Sequence, residues 1–91
     1  MTKQGKFVGG GFISLRAARK RGSRRFHFVV GRRVNRKAVE RNKIKRRLRA
    51  AIGKLRIKPE PDTEMFVMPT AEIINKNFEE IIREIERIFK R

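Results

Sequence analysis

Alternating side chains predict two strands in the first third of the chain. In residues 12–17 the two faces alternate in the manner of a half-buried strand. One face holds Ile13, Leu15 and Ala17, and the other holds Phe12, Ser14 and Arg16. Residues 26–30 are rich in aromatic and β-branched side chains, with Phe26, Phe28 and Val30 on one face and His27 and Val29 on the other. Gly22 and Ser23 lie between the two segments and predict a hairpin turn that joins them.

A basic amphipathic helix is predicted after the second strand. Asn35 is a suitable N-cap, and an apolar stripe follows it at helical spacing. The stripe consists of Ile44, Leu48, Ala51, Ile52 and Leu55. One flank of the stripe carries Asn42, Lys45, Arg46 and Arg49, with Arg41 at its border. Gly53, followed by Pro59 and Pro61, is expected to end the helix.

The last third of the chain predicts one more strand and a core-packing helix. Residues 65–68 form a short apolar run that Pro69 stops, and Asn77 with Glu80 has the spacing of a capping box. Helical spacing of apolar residues follows to the end of the chain, at Phe78, Ile81, Ile82, Ile85, Ile88 and Phe89. The element order predicts an α+β two-layer sandwich in which strands 26–30 and 65–68 lie parallel in one small mixed sheet. Helices would cover one face of this sheet and leave the other face open, and a further short strand is expected near Phe7 and Val8.

Charge is concentrated in the first two thirds of the chain. The 91 residues carry a net charge of +17 and are expected to form a single domain, with residues 1–11 flexible because they hold four glycines. Residues 1–59 contain 21 Lys and Arg against one acid, Glu40, whereas residues 60–91 contain 5 against 8. Such an imbalance indicates an anionic partner, of which nucleic acid is the first candidate.

Several classes of function are disfavoured by the residues that the chain lacks. Without cysteine there is no disulfide framework and no thiolate metal site. The basic part offers only Glu40 and His27 for acid–base or metal chemistry, so no catalytic residue and no metal site are predicted. Residues 9–11 are not followed by the Lys-Ser/Thr of a phosphate loop. No signal peptide or membrane span is recognisable, which indicates a soluble cytoplasmic protein without a membrane partner.

The stretch from residue 32 to residue 49 is too basic for a helix that only packs on a core. A run of charge is usually a solvated face, but here Glu40 is the only acid available for i,i+4 pairing. Like charges four residues apart, such as Lys45 and Arg49, therefore favour binding to external phosphates. Phosphate contacts carry affinity and little sequence information, so charge alone does not separate DNA from RNA.

The order of residues in this stretch narrows the range of possible partners. A basic pair, Arg32 and Arg33, ends a strand, and a helix then carries the pattern R-N-x-x-K-R-x-x-R. The matching positions are Arg41, Asn42, Lys45, Arg46 and Arg49. A short apolar strand and a capped C-terminal helix follow. This constellation, over roughly residues 12–91, resembles the bacterial ribonuclease P protein component.

The resemblance implies a subunit that assists a catalytic RNA in removing the 5′ leader from precursor tRNA. It implies a left-handed strand–helix–strand crossover and contacts from the five motif residues to the catalytic RNA. The Mg²⁺ would be held by that RNA, and no cofactor would be bound by the protein alone. No obligatory protein partner is implied. The single-stranded leader would lie on the open sheet face, where an aromatic beside cations suits base stacking. The residues predicted to bind the leader are Phe12, Arg16, His27, Arg32 and Arg33.

Departures from the family pattern and two alternatives accompany this interpretation. The family usually begins with an N-terminal helix, whereas nothing before Phe12 has helical periodicity, so a short form is expected. Lys43 stands where the family has Arg, and Phe12 is equally suited to the core. One alternative is a structural RNA-binding protein of ribosomal type with no role in tRNA processing. The other is an autonomous protein nuclease that depends on Glu40 or His27.

Overall fold

Two α-helices pack on one face of a mixed four-stranded sheet. The structure is a computed structural model that describes residues 7–8 and 11–89. The strands are β1 (Phe7–Val8), β2 (Ile13–Arg19), β3 (Arg24–Phe28) and β4 (Thr63–Pro69), and the helices are α1 (Ala38–Lys54), a short 3₁₀ helix (Ala71–Asn75) and α2 (Phe78–Phe89). The predicted α+β sandwich is confirmed, as is the short strand at Phe7 and Val8. The rest of the predicted flexible lead-in, apart from Gly11, lies outside the described residues, and so does any segment before Phe7.

The strand order β1-β2-β4-β3 confirms one predicted pairing and overturns another. β3 and β4 are parallel, with Phe26 opposite Met65 and Phe28 opposite Val67, as the strand–helix–strand order predicted. The predicted hairpin between the first two strands is wrong, because β4 lies between β2 and β3 and is antiparallel to β2. β4 is apolar on both faces over residues 65–68, which suits a central strand, whereas the Arg-rich β3 takes an edge. The left-handed sense of the crossover stays a prediction.

The core lies between the sheet and the two helices. Ile13, Leu15 and Val67 point from the sheet toward the helices and are buried. The predicted stripe of α1 meets them and is buried at all positions except Leu55, which is half-buried, while α2 contributes Ile81, Ile85 and Ile88. Since side chains alternate along a strand, the intervening residues of β2, β3 and β4 point to the opposite face. None of these side chains is fully buried, so this second face is open.

Helix boundaries agree with the sequence at α2 and differ at α1. Asn77 and Glu80 form the predicted capping box, with reciprocal bonds of 2.9 and 2.8 Å between each backbone N–H and the other side chain. Asn35 is not the N-cap of α1, because its side-chain oxygen accepts the N–H of Lys37 at 2.8 Å and closes a local turn first. Lys37 takes the N-cap position, and Gly53, which was expected to end α1, lies within its last turn.

A buried carboxylate on α2 holds the start of β2. Glu84 is 9% exposed and accepts two hydrogen bonds from Arg87, from Nε at 3.1 Å and from Nη2 at 3.0 Å. These bonds, joined by the neighbouring backbone N–H groups of Ile13 and Phe12, hold the pKa of Glu84 below its ordinary value although burial opposes the shift. A Cβ on Gly11 would collide with this carboxylate. The start of β2 and the middle of α2 are therefore fitted to one another.

Two glycine-to-alanine substitutions are expected to change stability in opposite directions. Gly11→Ala should lower the free energy of unfolding by about 1–2 kcal/mol, because the new methyl group must displace the hydrogen-bonded Glu84 side chain. Gly53→Ala should raise it by roughly 0.5–1 kcal/mol, since the position is helical and a Cβ there meets no atom within 4 Å. Urea unfolding of both variants measures the difference. Equal shifts would contradict the close fit at Gly11.

Candidate nucleic-acid interface

The outer side of α1 presents the predicted RNA-binding residues. Ile44 and Leu48 anchor the opposite side of the helix in the core. With about 100° of rotation per residue, this anchoring turns the flank that carries Asn42, Arg46 and Arg49 toward solvent, and all three are exposed. Lys45 follows Ile44 of the buried stripe and is half-buried. The structure therefore brings these four residues together on one surface.

Arg41 is separated from the other four motif residues. Its Nη1 donates hydrogen bonds to the backbone carbonyls of Asn35 at 3.1 Å and Arg36 at 2.8 Å. The side chain is half-buried and ties the loop before α1 to the first turns of the helix. Arg41 is thus placed to fix the loop that carries the exposed Arg32 and Arg33.

The cations of α1 are poorly neutralised within the protein. The helix contains one acid, Glu40, whose Oε2 lies 3.9 Å from Nζ of Lys43, and both side chains are substantially exposed. Such a surface pair contributes little. Among the described residues no other carboxylate forms an ion pair with α1. Its surface is therefore strongly positive and suited to phosphates.

Arg49 also joins α1 to the edge of the sheet. Its guanidinium carbon lies 5.2 Å from the centroid of the Phe28 ring. Phe28 stacks with Phe26 at 6.2 Å, and Phe26 meets Phe89 edge-on at 6.1 Å. Stacking uses the flat face of a guanidinium and leaves its in-plane N–H donors for oxygen acceptors. Arg49 is therefore held by an aromatic support that the sequence alone did not indicate.

A row of three side chains crosses the open face of the sheet. In register, Arg16 of β2 lies opposite Phe66 of β4, and Phe66 lies opposite His27 of β3. The rings of His27 and Phe66 stack with centroids 4.7 Å apart and an interplanar angle of 14°. Two of the predicted leader-binding residues are thus brought to either side of an aromatic ring. Phe66 was not predicted to lie on this face. The signal that could have found it is the alternation of side chains along β4, which places Phe66 on the face opposite to its two neighbours in the apolar run.

A hydrogen-bonded carboxylate orients His27 in this row. Glu64 Oε1 lies 3.0 Å from Nε2 of His27, and Oε2 accepts the hydroxyl of Ser23 at 2.9 Å. The Ser23 hydroxyl, with further help from His27, holds the pKa of Glu64 below its ordinary value against the opposing effect of burial. The carboxylate stays ionised near neutral pH and fixes the imidazole against Phe66.

The remaining predicted leader-binding residues lie toward one end of the sheet. Phe12 precedes β2, packs against the core, and has Nζ of Lys76 at 5.2 Å from its ring centroid. Arg32 and Arg33 are exposed in the loop after β3. Phe12 and this loop share the end at which β4 finishes, since Ile13 is opposite Pro69 and β3 runs parallel to β4.

The two residues that a protein nuclease would use are not brought together. His27 lies on the open sheet face and is bonded to Glu64, whereas Glu40 lies on α1 in the helix layer. Within residues 7–8 and 11–89, no group of three or more His, Asp or Glu side chains is placed to hold a metal ion. Over the same residues, no helix combines the length and apolar character needed to cross a membrane.

Known proteins resemble this chain in sequence and in fold. The family model of ribonuclease P matches residues 1–91. The ribonuclease P protein component of Synechocystis sp. is 39% identical over 67 residues, which cover 71% of this chain and 52% of that protein. The chain thus spans about half the length of this curated relative.

Two solved structures share the fold. The RNase P protein from Thermotoga maritima superposes with a TM-score of 0.77 at 26% identity, covering 98% of this chain and 84% of the other. The RNase P protein of Staphylococcus aureus superposes with a TM-score of 0.74 at 20% identity, covering 94% and 79%. At that identity the second likeness supports the fold alone.

Proposed function

This chain belongs to the ribonuclease P protein family, and from that membership we propose that it is the protein subunit of ribonuclease P. In this role it binds the catalytic RNA and the 5′ leader of precursor tRNA, and so assists the endonucleolytic maturation of tRNA. Its partners are these two RNAs, and the cytoplasm is the compartment in which they meet. The proposal requires no further protein.

The observation that carries the proposal is the poorly neutralised flank of α1. Asn42, Arg46 and Arg49 are exposed on a helix whose opposite side is fully engaged in the core. A rigid helix with charged donors at fixed spacing supports binding to a folded RNA, whose phosphates are also fixed in space. We assign contact with the catalytic RNA to these three residues and Lys45, and we assign positioning of the adjoining loop to Arg41.

The open sheet face supports binding of the single-stranded leader. The row of Arg16, Phe66 and His27 combines a cation with stacked rings, and base–aromatic stacking accepts any base. Arg32 and Arg33 extend the positive charge to one end of the sheet, near Phe12. The leader and the catalytic RNA would therefore occupy opposite sides of the sheet.

Bond cleavage is assigned to the RNA, and no residue of this chain to a chemical step. The Mg²⁺ ions that cleavage requires belong to the RNA in this proposal. The protein supplies positive charge to the assembly, which lowers the repulsion between two RNAs. Its effect should then be greatest when magnesium is scarce.

Reconstitution with catalytic RNA tests the proposal. Adding the protein to catalytic RNA at low Mg²⁺ should raise the rate of precursor-tRNA cleavage, and the protein without RNA should cleave nothing. A basic protein of equal net charge and unrelated fold is the control for charge alone. Failure to bind the RNA and to stimulate cleavage would refute the proposal. Co-sedimentation with ribosomal subunits, without any effect on tRNA cleavage, would favour the ribosomal-type alternative.

A further inference from the structure

An open hollow lies where the outer side of α1 meets the first turn of α2. Its lining, here called the basic hollow, consists of Lys43, Arg46, Arg47, Arg49, Ala50 and Phe78. Its volume is about 550 Å³, and it is widely open to solvent. Lys43, Arg47 and Phe78 lie outside the set of residues assigned so far. The small side chain of Ala50 leaves room between the surrounding long ones.

The charge of the basic hollow selects an anion. Four of its six lining residues are cationic, and none is acidic. Among the described residues, Lys43 forms an ion pair with Glu40 at 3.9 Å, and Arg46, Arg47 and Arg49 form none. Unpaired guanidinium groups form strong, often bidentate hydrogen bonds with phosphate and carboxylate oxygens, and RNA supplies phosphates.

The basic hollow also contains an aromatic ring, which a phosphate alone would not contact. Phe78 is half-buried, touches the hydrophobic core, and lies one residue after Asn77 of the capping box. The two reciprocal hydrogen bonds of that box fix the first turn of α2, so the ring is held in place beside the arginines. A ligand that combines a flat apolar ring with a phosphate uses both halves of the hollow.

We propose that the basic hollow holds one unpaired nucleotide of the catalytic RNA, with its base on Phe78 and its flanking phosphates on Arg46 and Arg47. The inference rests on the proposed function and names a contact within it. A duplex segment offers phosphates but keeps its base faces stacked, so an unpaired nucleotide is required. The contact lies in the helix layer, on the opposite side of the sheet from the row of Arg16, Phe66 and His27.

Substitutions at Phe78 test this contact. Phe78→Leu keeps an apolar side chain in contact with the core but removes the ring, and should weaken binding of the catalytic RNA about tenfold. The dependence of binding on salt should stay unchanged, because no charge is lost. Phe78→Tyr keeps the ring and should bind as the wild type does. Ile82→Val shortens another half-buried apolar side chain of α2, one that does not line the basic hollow, and serves as the control for lost packing.

A second variant reports on the phosphate half of the hollow. Arg47→Ala should weaken binding and also flatten its salt dependence, by about 0.7 in the logarithmic slope if one phosphate contact to a single strand is lost. Ultraviolet crosslinking should join the peptide that contains Phe78 to an unpaired position of the RNA. Urea unfolding of each variant shows whether the fold is retained, so that a loss of binding by Phe78→Leu is compared with Phe78→Tyr at known stability of both.

The outcomes separate this proposal from the proposed function. Tight binding by the wild type together with equal binding by Phe78→Leu would overturn the nucleotide site and leave the proposed function standing. No binding of the catalytic RNA by the wild type would overturn the proposed function itself. If poly-glutamate competed with the RNA, and this competition depended on Phe78, the basic hollow would be assigned to a protein partner instead of a nucleotide.

Discussion

Replacing both Arg46 and Arg49 by alanine is expected to weaken binding of the catalytic RNA about a hundredfold, since each loses a charge-assisted hydrogen bond of about 1.5 kcal/mol. Both residues are exposed on the flank of α1, and neither forms an ion pair among the residues that the structure describes. The logarithmic slope of affinity against salt should fall by up to about 1.8 if two phosphate contacts to a duplex are lost. Filter binding over a range of salt concentrations measures both quantities.

Matched charge loss elsewhere is the control for this double variant. Lys58→Ala with Arg83→Ala removes two exposed cations outside the flank of α1 and should change affinity little. Arg49→Lys adds a finer comparison, because it keeps the charge and loses the flat guanidinium that stacks on Phe28. If the Arg46 and Arg49 variant kept the wild-type affinity and salt slope, the RNA contact would have to lie on another surface.

Glu84→Ala is expected to lower the free energy of unfolding by about 2–3 kcal/mol, more than Gly11→Ala. The substitution removes both hydrogen bonds to Arg87 and leaves the backbone N–H groups at the start of β2 without the carboxylate. Glu86→Ala, an exposed position on the same helix, should change stability by less than about 0.5 kcal/mol. Urea unfolding at neutral pH compares them, and equal losses would show that Glu84 has no special role.

The loss of stability caused by Glu84→Ala should depend on pH, in a direction that follows from the pKa of the Glu84 carboxylate. The pKa of Glu84 in the folded protein lies below its ordinary value of 4.5 because Arg87 and the neighbouring N–H groups favour the ionised form. Its contribution to stability is therefore present above pH 4.5 and disappears as the pH falls through the lowered pKa. The stability difference between wild type and Glu84→Ala should shrink in acid.

Local patterns in the sequence were sufficient to predict the helices and the flank of α1. The stripe through Ile44 and Leu48 and the capping box at Asn77 depend on residues three or four apart, which helical geometry relates directly. The flank follows from the stripe, since rotation about the helix axis places Asn42, Arg46 and Arg49 away from it. The separation of Arg41 from the other motif residues was not predicted, because its hydrogen bonds to two loop carbonyls depend on the path of that loop.

Long-range pairing was the part that local patterns missed. The insertion of β4 between β2 and β3 joins segments about forty residues apart, as in the pairing of Arg19 with Thr63. Phe66 enters the open face only through that insertion, so its row with Arg16 and His27 was not foreseen. Glu84 was hidden for another reason. It lies in the helical spacing of Ile81, Ile85 and Ile88, and a polar residue within such a stripe was itself the signal of a buried carboxylate.

The central position of β4 also has a consequence for how the chain folds. β2 and β3 do not pair with each other. Each of them pairs with β4, which follows α1 in the sequence. The sheet therefore closes only after the whole crossover has been made, which raises the contact order and is expected to slow folding. A fragment that ends with α1 lacks the middle of its own sheet. The helix α1, which we propose binds RNA, is thus packed against a complete sheet only once the last third of the chain has joined the domain.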